Sequence, residues 1–216
     1  MNIEPKKEIL EKLILKFNQE KFSTIINEIK TLQDQFPKSI FLLNLLGASY
    51  NEINDYEKAI DCFNRINNLK KNFADSYYNL GIIYKRINKI KDSINNYNKC
   101  IDINPRKFEA YNNLGNIYRD NNVYDKAIEN YLKCLEINSN YLIALQNFGM
   151  CLQNFSFTSK SDLIDKHIMN LLEKNKILRP VDIIKSLIDY LYLDKTLKFY
   201  LDNIEILKDE YSIDNL

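Results

Sequence analysis

Apolar residues along most of this chain recur at spacings of three and four, the interval that lines one face of an α-helix, rather than the spacing of two that marks a half-buried strand. That helical pattern itself repeats. The stretches FLLNLLGASY, SYYNLGIIY, AYNNLGNIY and ALQNFGM align on Gly47, Gly81, Gly115 and Gly149, which are all four glycines of the chain and stand 34 residues apart. Twelve residues after the first three glycines come Ala59-Ile60, Ser93-Ile94 and Ala127-Ile128. A fixed period of this length predicts a repeat architecture, in which one unit cannot bury its apolar face alone and neighbours stack into a continuous core.

Units counted from Ile40, Ala74 and Phe108 place glycine at position 8 and the small residue Ala59, Ser93 or Ala127 at position 20. A mid-helix glycine costs roughly 1 kcal/mol against alanine, so it needs a packing reason. Close approach of two antiparallel helices within one unit supplies it, since neither can then carry bulk at the contact. Large apolar residues surround that point: Leu43, Tyr77 and Tyr111 at position 4, Leu46, Leu80 and Leu114 at position 7, and Phe63, Tyr97 and Tyr131 at position 24. Asn54, Asn88 and Asn122 share position 15, where the first helix must stop, and asparagine tolerates the left-handed cap conformation best after glycine. Tyr56, Ile90 and Tyr124 restart the apolar pattern two residues later.

This pattern of aromatic, Leu-Gly, Tyr, small residue and aromatic resembles the tetratricopeptide repeat family, with tyrosine in place of the usual tryptophan and Pro105 alone at the terminal proline position of these units. The resemblance implies an all-α, right-handed α-solenoid of antiparallel helix pairs. On this frame an array spans 1–175, with a degenerate first unit at 6–39, full units at 40–73, 74–107 and 108–141, and a degenerate unit at 142–175; residues 176–216 form a C-terminal helical cap or transition segment. In the first unit Leu10, Leu13, Ile14 and Phe17 match positions 4, 7, 8 and 11 if its turn is one residue short, and Ile14 and Ile25 replace the small pair. After Gly149, FSFTSKSD interrupts the turn, and Ser161 or Asp162 is placed to cap the next helix. From Leu163 an apolar stripe puts His167 at position 24. Arg179-Pro180 opens a further helix, and a second follows from Leu197.

Composition narrows the function classes. The 216 residues are 45% hydrophobic and 27% charged with a net charge of +1, which gives no argument for nucleic acid, an acidic membrane or a polyanion. No stretch reaches the roughly eighteen apolar residues that span a bilayer, and the N-terminus has no unbroken apolar signal region; a cytoplasmic protein is expected. The four cysteines form no CxxC pair, so zinc and dithiol chemistry are not expected, and Cys100 and Cys134, both at position 27, should lie about 10 Å apart, too far for a disulfide. They read as small core hydrophobes. His167, the only histidine, belongs to an apolar stripe with no serine, cysteine or carboxylate motif beside it, and is expected to be a satisfied core or interface residue. No phosphate loop, dinucleotide fingerprint or metal cluster is present, and no cofactor or metal is expected.

Within the family the first helix of each unit lines the concave face, which directs attention to positions 2, 5, 6, 9, 12 and 13. Position 6 holds Leu45, Asn79, Asn113 and Asn147, and three stacked carboxamides offer donors and acceptors to the backbone of an extended peptide. A similar asparagine ladder occurs in the repeats of O-linked N-acetylglucosamine transferases. Tyr78 and Asn112 at position 5 and Asn116 at position 9 flank it, and Lys85, Arg86 and Arg119 at positions 12 and 13 add positive charge that favours acidic ligands. These cations do not reproduce the order of the carboxylate clamp of chaperone-binding members. The expectation is therefore a non-enzymatic scaffold that binds a protein or peptide partner. The alternative is the substrate-recruiting arm of a larger glycosyltransferase, methyltransferase or sulfotransferase, and a third reading is self-association through the C-terminal helices.

Overall fold

A computed structural model describes residues 4–152, 164 and 166–168. Among the described residues the chain is all-α. Its helices are α1 (Lys7–Asn18), α2 (Phe22–Gln33), α3 (Ile40–Glu52), α4 (Tyr56–Leu69), α5 (Ala74–Arg86), α6 (Ile90–Ile103), α7 (Phe108–Asp120), α8 (Tyr124–Ile137) and α9 (Leu142–Leu152). The arrangement is the series of antiparallel helix pairs that defines an α-solenoid fold. The capping residues Ser161 and Asp162 and the C-terminal cap at 176–216 lie outside the described residues.

The chain divides into two compact parts, residues 1–110 and 111–216. In the first, α1 packs on α2, α3 on α4 and α5 on α6, while α2 on α3 and α4 on α5 join one pair to the next. The apolar stripes of these helices meet in one core that includes Leu13, Ile25, Ile29, Leu42, Leu43, Phe63, Ile66 and Ile83. In the second part α8 packs on α9, with Tyr131, Leu135, Leu145 and Phe148 wholly buried.

The turns within pairs explain why the first helices end where they do. Asn54, Asn88 and Asn122 have φ of 63°, 60° and 60°, the left-handed conformation expected at position 15. Each closes a Schellman motif. For Asn88, its own N–H donates to the Lys85 carbonyl at 3.0 Å and the Lys89 N–H to the Tyr84 carbonyl at 2.8 Å, which satisfies carbonyls the helix end leaves unpaired. The asparagine side chain also serves in two turns, since Tyr56 and Tyr124 donate their hydroxyls to Asn54 and Asn122 Oδ1 at 2.6 and 2.9 Å. The tyrosines of position 17 are thus turn braces as well as core residues.

The contact at position 8 differs in detail from the expected small-on-small packing. The nearest neighbour of Gly47, Gly81 and Gly115 is the aromatic ring of position 24. A Cβ on Gly81 would lie 2.6 Å from Tyr97 Cε1, one on Gly115 2.5 Å from Tyr131 Cε1, and one on Gly47 2.9 Å from Phe63 Cζ. The small residue of position 20 is close too, as Ser93 Oγ donates to the Gly81 carbonyl at 2.7 Å.

The first pair also departs from its expected frame. Ile14, assigned to the slot opposite Ile25, is 42% exposed, whereas Leu13 is buried beside Ile25. Its turn places Glu20 at φ 57°, with the Lys21 N–H donating to the Lys16 carbonyl at 3.1 Å. A side chain in this region costs about 1–2 kcal/mol, less for asparagine, whose short carboxamide can bond the local backbone, and the other three turns place asparagine there. Glu20→Asn is expected to raise stability by about 1 kcal/mol, read as a higher urea midpoint at unchanged slope. An unchanged or lower midpoint counts against strain at this turn.

The buried thiols and the imidazole are held uncharged. Cys62, Cys100, Cys134 and Cys151 form no disulfide and are buried. Burial pushes the Cys62 thiol up to about 12 and those of Cys100 and Cys151 up to about 11, so they stay protonated and weakly nucleophilic at neutral pH. His167 is buried as expected, but it is not satisfied: both ring nitrogens are buried without a hydrogen-bond partner. Burial holds its pKa below the usual value and keeps the ring neutral.

Candidate functional site

The first helices bring positions 5, 6, 9 and 12 to one face by their three-and-four spacing. Most of these side chains are half-buried, among them Asn44, Tyr78, Asn79, Lys85, Asn113, Asn116, Arg119 and Asn147. Asn112 is buried at 4% exposure, while Arg86 and Met150 are exposed. Partial burial leaves the carboxamides other than Asn112 able to bond both their neighbours and a ligand.

In the first part of the chain, Asn79 Nδ2 donates to Asn44 Oδ1 at 3.4 Å, from position 6 of α5 to position 5 of α3. Tyr78 packs between the Tyr97 ring, 5.9 Å between centroids, and the Lys107 ammonium, 4.8 Å from the Tyr78 centroid. Lys107 is held there by Asp75 at 2.9 Å. Arg86 Nη1 donates to the Asn51 carbonyl at 3.3 Å and stands 3.8 Å from Glu52 Oε1. A cavity of about 240 Å³ opens on this face, floored by Phe17, Ala48, Phe63, Ile82 and Ile83 and edged by Asn51, Glu52, Asn79 and Arg86.

The second part repeats the carboxamide pair. Asn147 Nδ2 donates to Asn112 Oδ1 at 3.2 Å, again from position 6 to position 5. Arg119 donates to Asn147 Oδ1 at 2.9 Å and to Asp120 Oδ1 at 3.1 Å. Tyr131 donates its hydroxyl to Asn116 Oδ1 at 2.8 Å.

Two expectations change. The carboxamide bonds run diagonally, Asn44 with Asn79 and Asn112 with Asn147, so the rungs include position 5 and are not a column of position 6 alone. A carboxamide has two N–H donors and two acceptor lone pairs, so each retains capacity for a ligand. The positive rim is also weaker than the charges alone imply, because Arg86 faces Glu52 and Arg119 faces Asp120. Preference for acidic ligands loses most of its basis in these two arginines. Asn44, Phe17, Glu52 and Lys107 are additional residues of these faces; Asn44 at position 5 and Glu52 at position 13 stand at face positions of the repeat frame, whereas Phe17 and Lys107 do not.

Family models of the tetratricopeptide repeat match residues 42–73 and 108–141, and a TPR repeat model matches residues 83–119. These are tetratricopeptide repeats. Among solved structures, a tetratricopeptide-repeat fold like this one is found in MamA, 27% identical, with 74% of this chain and 92% of that chain covered at a TM-score of 0.62. The first TPR of Spaghetti (RPAP3), solved bound to the HSP90 peptide SRMEEVD, is 21% identical and covers 53% of this chain and 91% of its own at a TM-score of 0.51. YrrB, described as a TPR protein with an unusual peptide-binding site, is 16% identical and covers 76% and 85% at 0.56. No curated protein sequence matches the chain. Among the described residues of these repeats, no helix is long and apolar enough to cross a membrane.

Proposed function

We propose that the chain is a non-enzymatic interaction scaffold whose first-helix faces bind an extended peptide or a helix of a partner protein. The observation that carries this reading is the recurrence of one carboxamide pair, Asn44–Asn79 and Asn112–Asn147, at the same repeat positions in both parts of the chain. Each pair fixes a half-buried amide, so the entropy of ordering it is already spent before a ligand arrives. Asn79, Asn113 and Asn147 supply donors and acceptors to a peptide backbone, Tyr78, Asn112 and Asn116 flank them, and Lys85, Arg86 and Arg119 border the faces. The peptide complex of RPAP3 and the peptide-binding site of YrrB support a peptide ligand for this fold.

Alanine at Asn79, Asn113 and Asn147 together is expected to weaken peptide capture at least about tenfold, while helicity by circular dichroism stays that of the wild type. The measurement is selection of a displayed random peptide library on the immobilised full chain, followed by titration of the selected peptides. Undiminished affinity in the triple variant rules out these faces as the binding surface.

A further inference from the structure

Between the second helices α4 and α6 a cavity of about 530 Å³ opens, with α5 as its floor. One wall holds Asn64, Asn67 and Asn68 of α4, at positions 25, 28 and 29, and the other holds Asn95 and Asn96 of α6, at positions 22 and 23. All five are carboxamides. One repeat earlier the same positions are Lys30, Gln33 and Asp34 with Asp61 and Cys62, and one repeat later they are Asn98, Ile101 and Asp102 with Glu129 and Asn130. Both of those sets carry charge, and this one carries none. A chain-wide bias toward asparagine acts on all three sets alike and does not explain the difference.

We propose that this cavity binds a neutral saccharide unit, free or carried on a glycan. It is separate from the peptide-binding reading above, none of whose residues line it. The hydrogen bonds already made decide what the two more buried amides offer. Asn67 Oδ1 accepts from Ser76 Oγ, which leaves its N–H groups, and Asn96 Nδ2 donates to the Asp92 carbonyl at 2.8 Å, which leaves its oxygen. A donor on one wall and an acceptor on the other suit a hydroxyl, the neutral group that accepts and donates at a single atom. Asn64, Asn68 and Asn95 are exposed and add three amides of both kinds. On the floor the Lys99 ammonium stands 5.8 Å from the Tyr77 centroid, and the half-buried Tyr84 ring is left as a face for sugar C–H groups. An apolar peptide side chain finds no recess, because Leu80, the one aliphatic residue of the lining, is 2% exposed. An ionic ligand meets Asp92 and Lys99 together, one charge of each sign.

The test presents the full chain to an array of neutral, sialylated and sulfated glycans and follows the strongest neutral hit by NMR of the asparagine side-chain amides. Neutral glycans are expected to bind in preference to charged ones and to shift the amides of the five wall asparagines. Asn64→Lys, Asn68→Asp and Asn95→Glu together install the charges of Lys30, Asp34 and Glu129 at exposed positions, and are expected to weaken the hit at least about tenfold. Asn95→Glu alone is the second variant should the triple one misfold. Alanine at Asn79, Asn113 and Asn147 is expected to leave glycan binding unchanged, which separates this site from the peptide-binding faces. The free oligosaccharide and a glycoprotein carrying it are titrated side by side: equal affinity marks the free sugar as a sufficient ligand, and tighter binding of the glycoprotein marks a carried glycan. The proposal is overturned if no neutral glycan binds, if charged glycans bind as tightly, or if the shifts fall on other residues. It is equally overturned by affinity that survives the groove variants, or by a selected peptide that shifts these same amides.

Discussion

Gly81→Val is expected to lower stability by about 3 kcal/mol, the upper end of the usual cost of overpacking. The reason is the ring beneath it. A β-carbon at residue 81 lies 2.6, 2.7 and 2.9 Å from Cε1, Cδ1 and Cζ of Tyr97, a side chain only 1% exposed. The buried ring must shift to admit it, and Ser93 Oγ, bonded to the Gly81 carbonyl at 2.7 Å, ties α6 to α5 at the same level. Alanine is the informative milder case. It regains about 1 kcal/mol of helix propensity and loses about 1–3 kcal/mol to overlap, for a net cost of about 1 kcal/mol. Urea unfolding of the Gly47, Gly81 and Gly115 alanine variants should rank by clearance, with Gly47→Ala mildest because its closest neighbour, Phe63 Cζ at 2.9 Å, is the tip of a ring. Tyr97→Leu in the Gly81→Ala background should recover part of the loss. Equal stability across the series would show that the rings move aside freely.

What was legible in the sequence follows the same physics. Left-handed φ and helix contact without a side chain each admit few residue types, so the asparagines of position 15 and the glycines of position 8 announced the turns and the close approach. Glu20 did not announce itself, because surrounding packing holds an ordinary residue in a conformation its own preference opposes. The asparagines of the first-helix faces were visible, but their pairing was not. The bonded pairs are 35 residues apart, one more than the period. That offset depends on how far one first helix is shifted and rotated against the next, and helical side chains lean along the axis as well as outward. Lys107 beside Tyr78 was hidden for a related reason, since it comes from the segment between α6 and α7 and its reach is set by tertiary packing. The cavity at Ala48 and Phe63 could be read only as two substitutions in the repeat frame, because an alignment of residue types does not show which gaps neighbouring side chains fill.

Tyr131→Ala is expected to cost about 4 kcal/mol, as for other large aromatic truncations in a core, and the milder Tyr131→Phe separates its two roles. The ring is wholly buried against Gly115, so alanine removes its packing and leaves a cavity. The hydroxyl, whose pKa burial raises, stays protonated at neutral pH and donates to Asn116 Oδ1 at 2.8 Å. Phenylalanine keeps the ring but strands a half-buried acceptor, for a loss of about 1–3 kcal/mol. Asn116→Ala added to Tyr131→Phe should recover most of that loss, because it removes both partners of the bond and reproduces the Phe63 and Ala48 pair that repeat 40–73 tolerates. The double-mutant cycle, measured by urea unfolding, should therefore show a coupling of about 1 kcal/mol or more. Additive losses would mean that the hydroxyl and the carboxamide act independently.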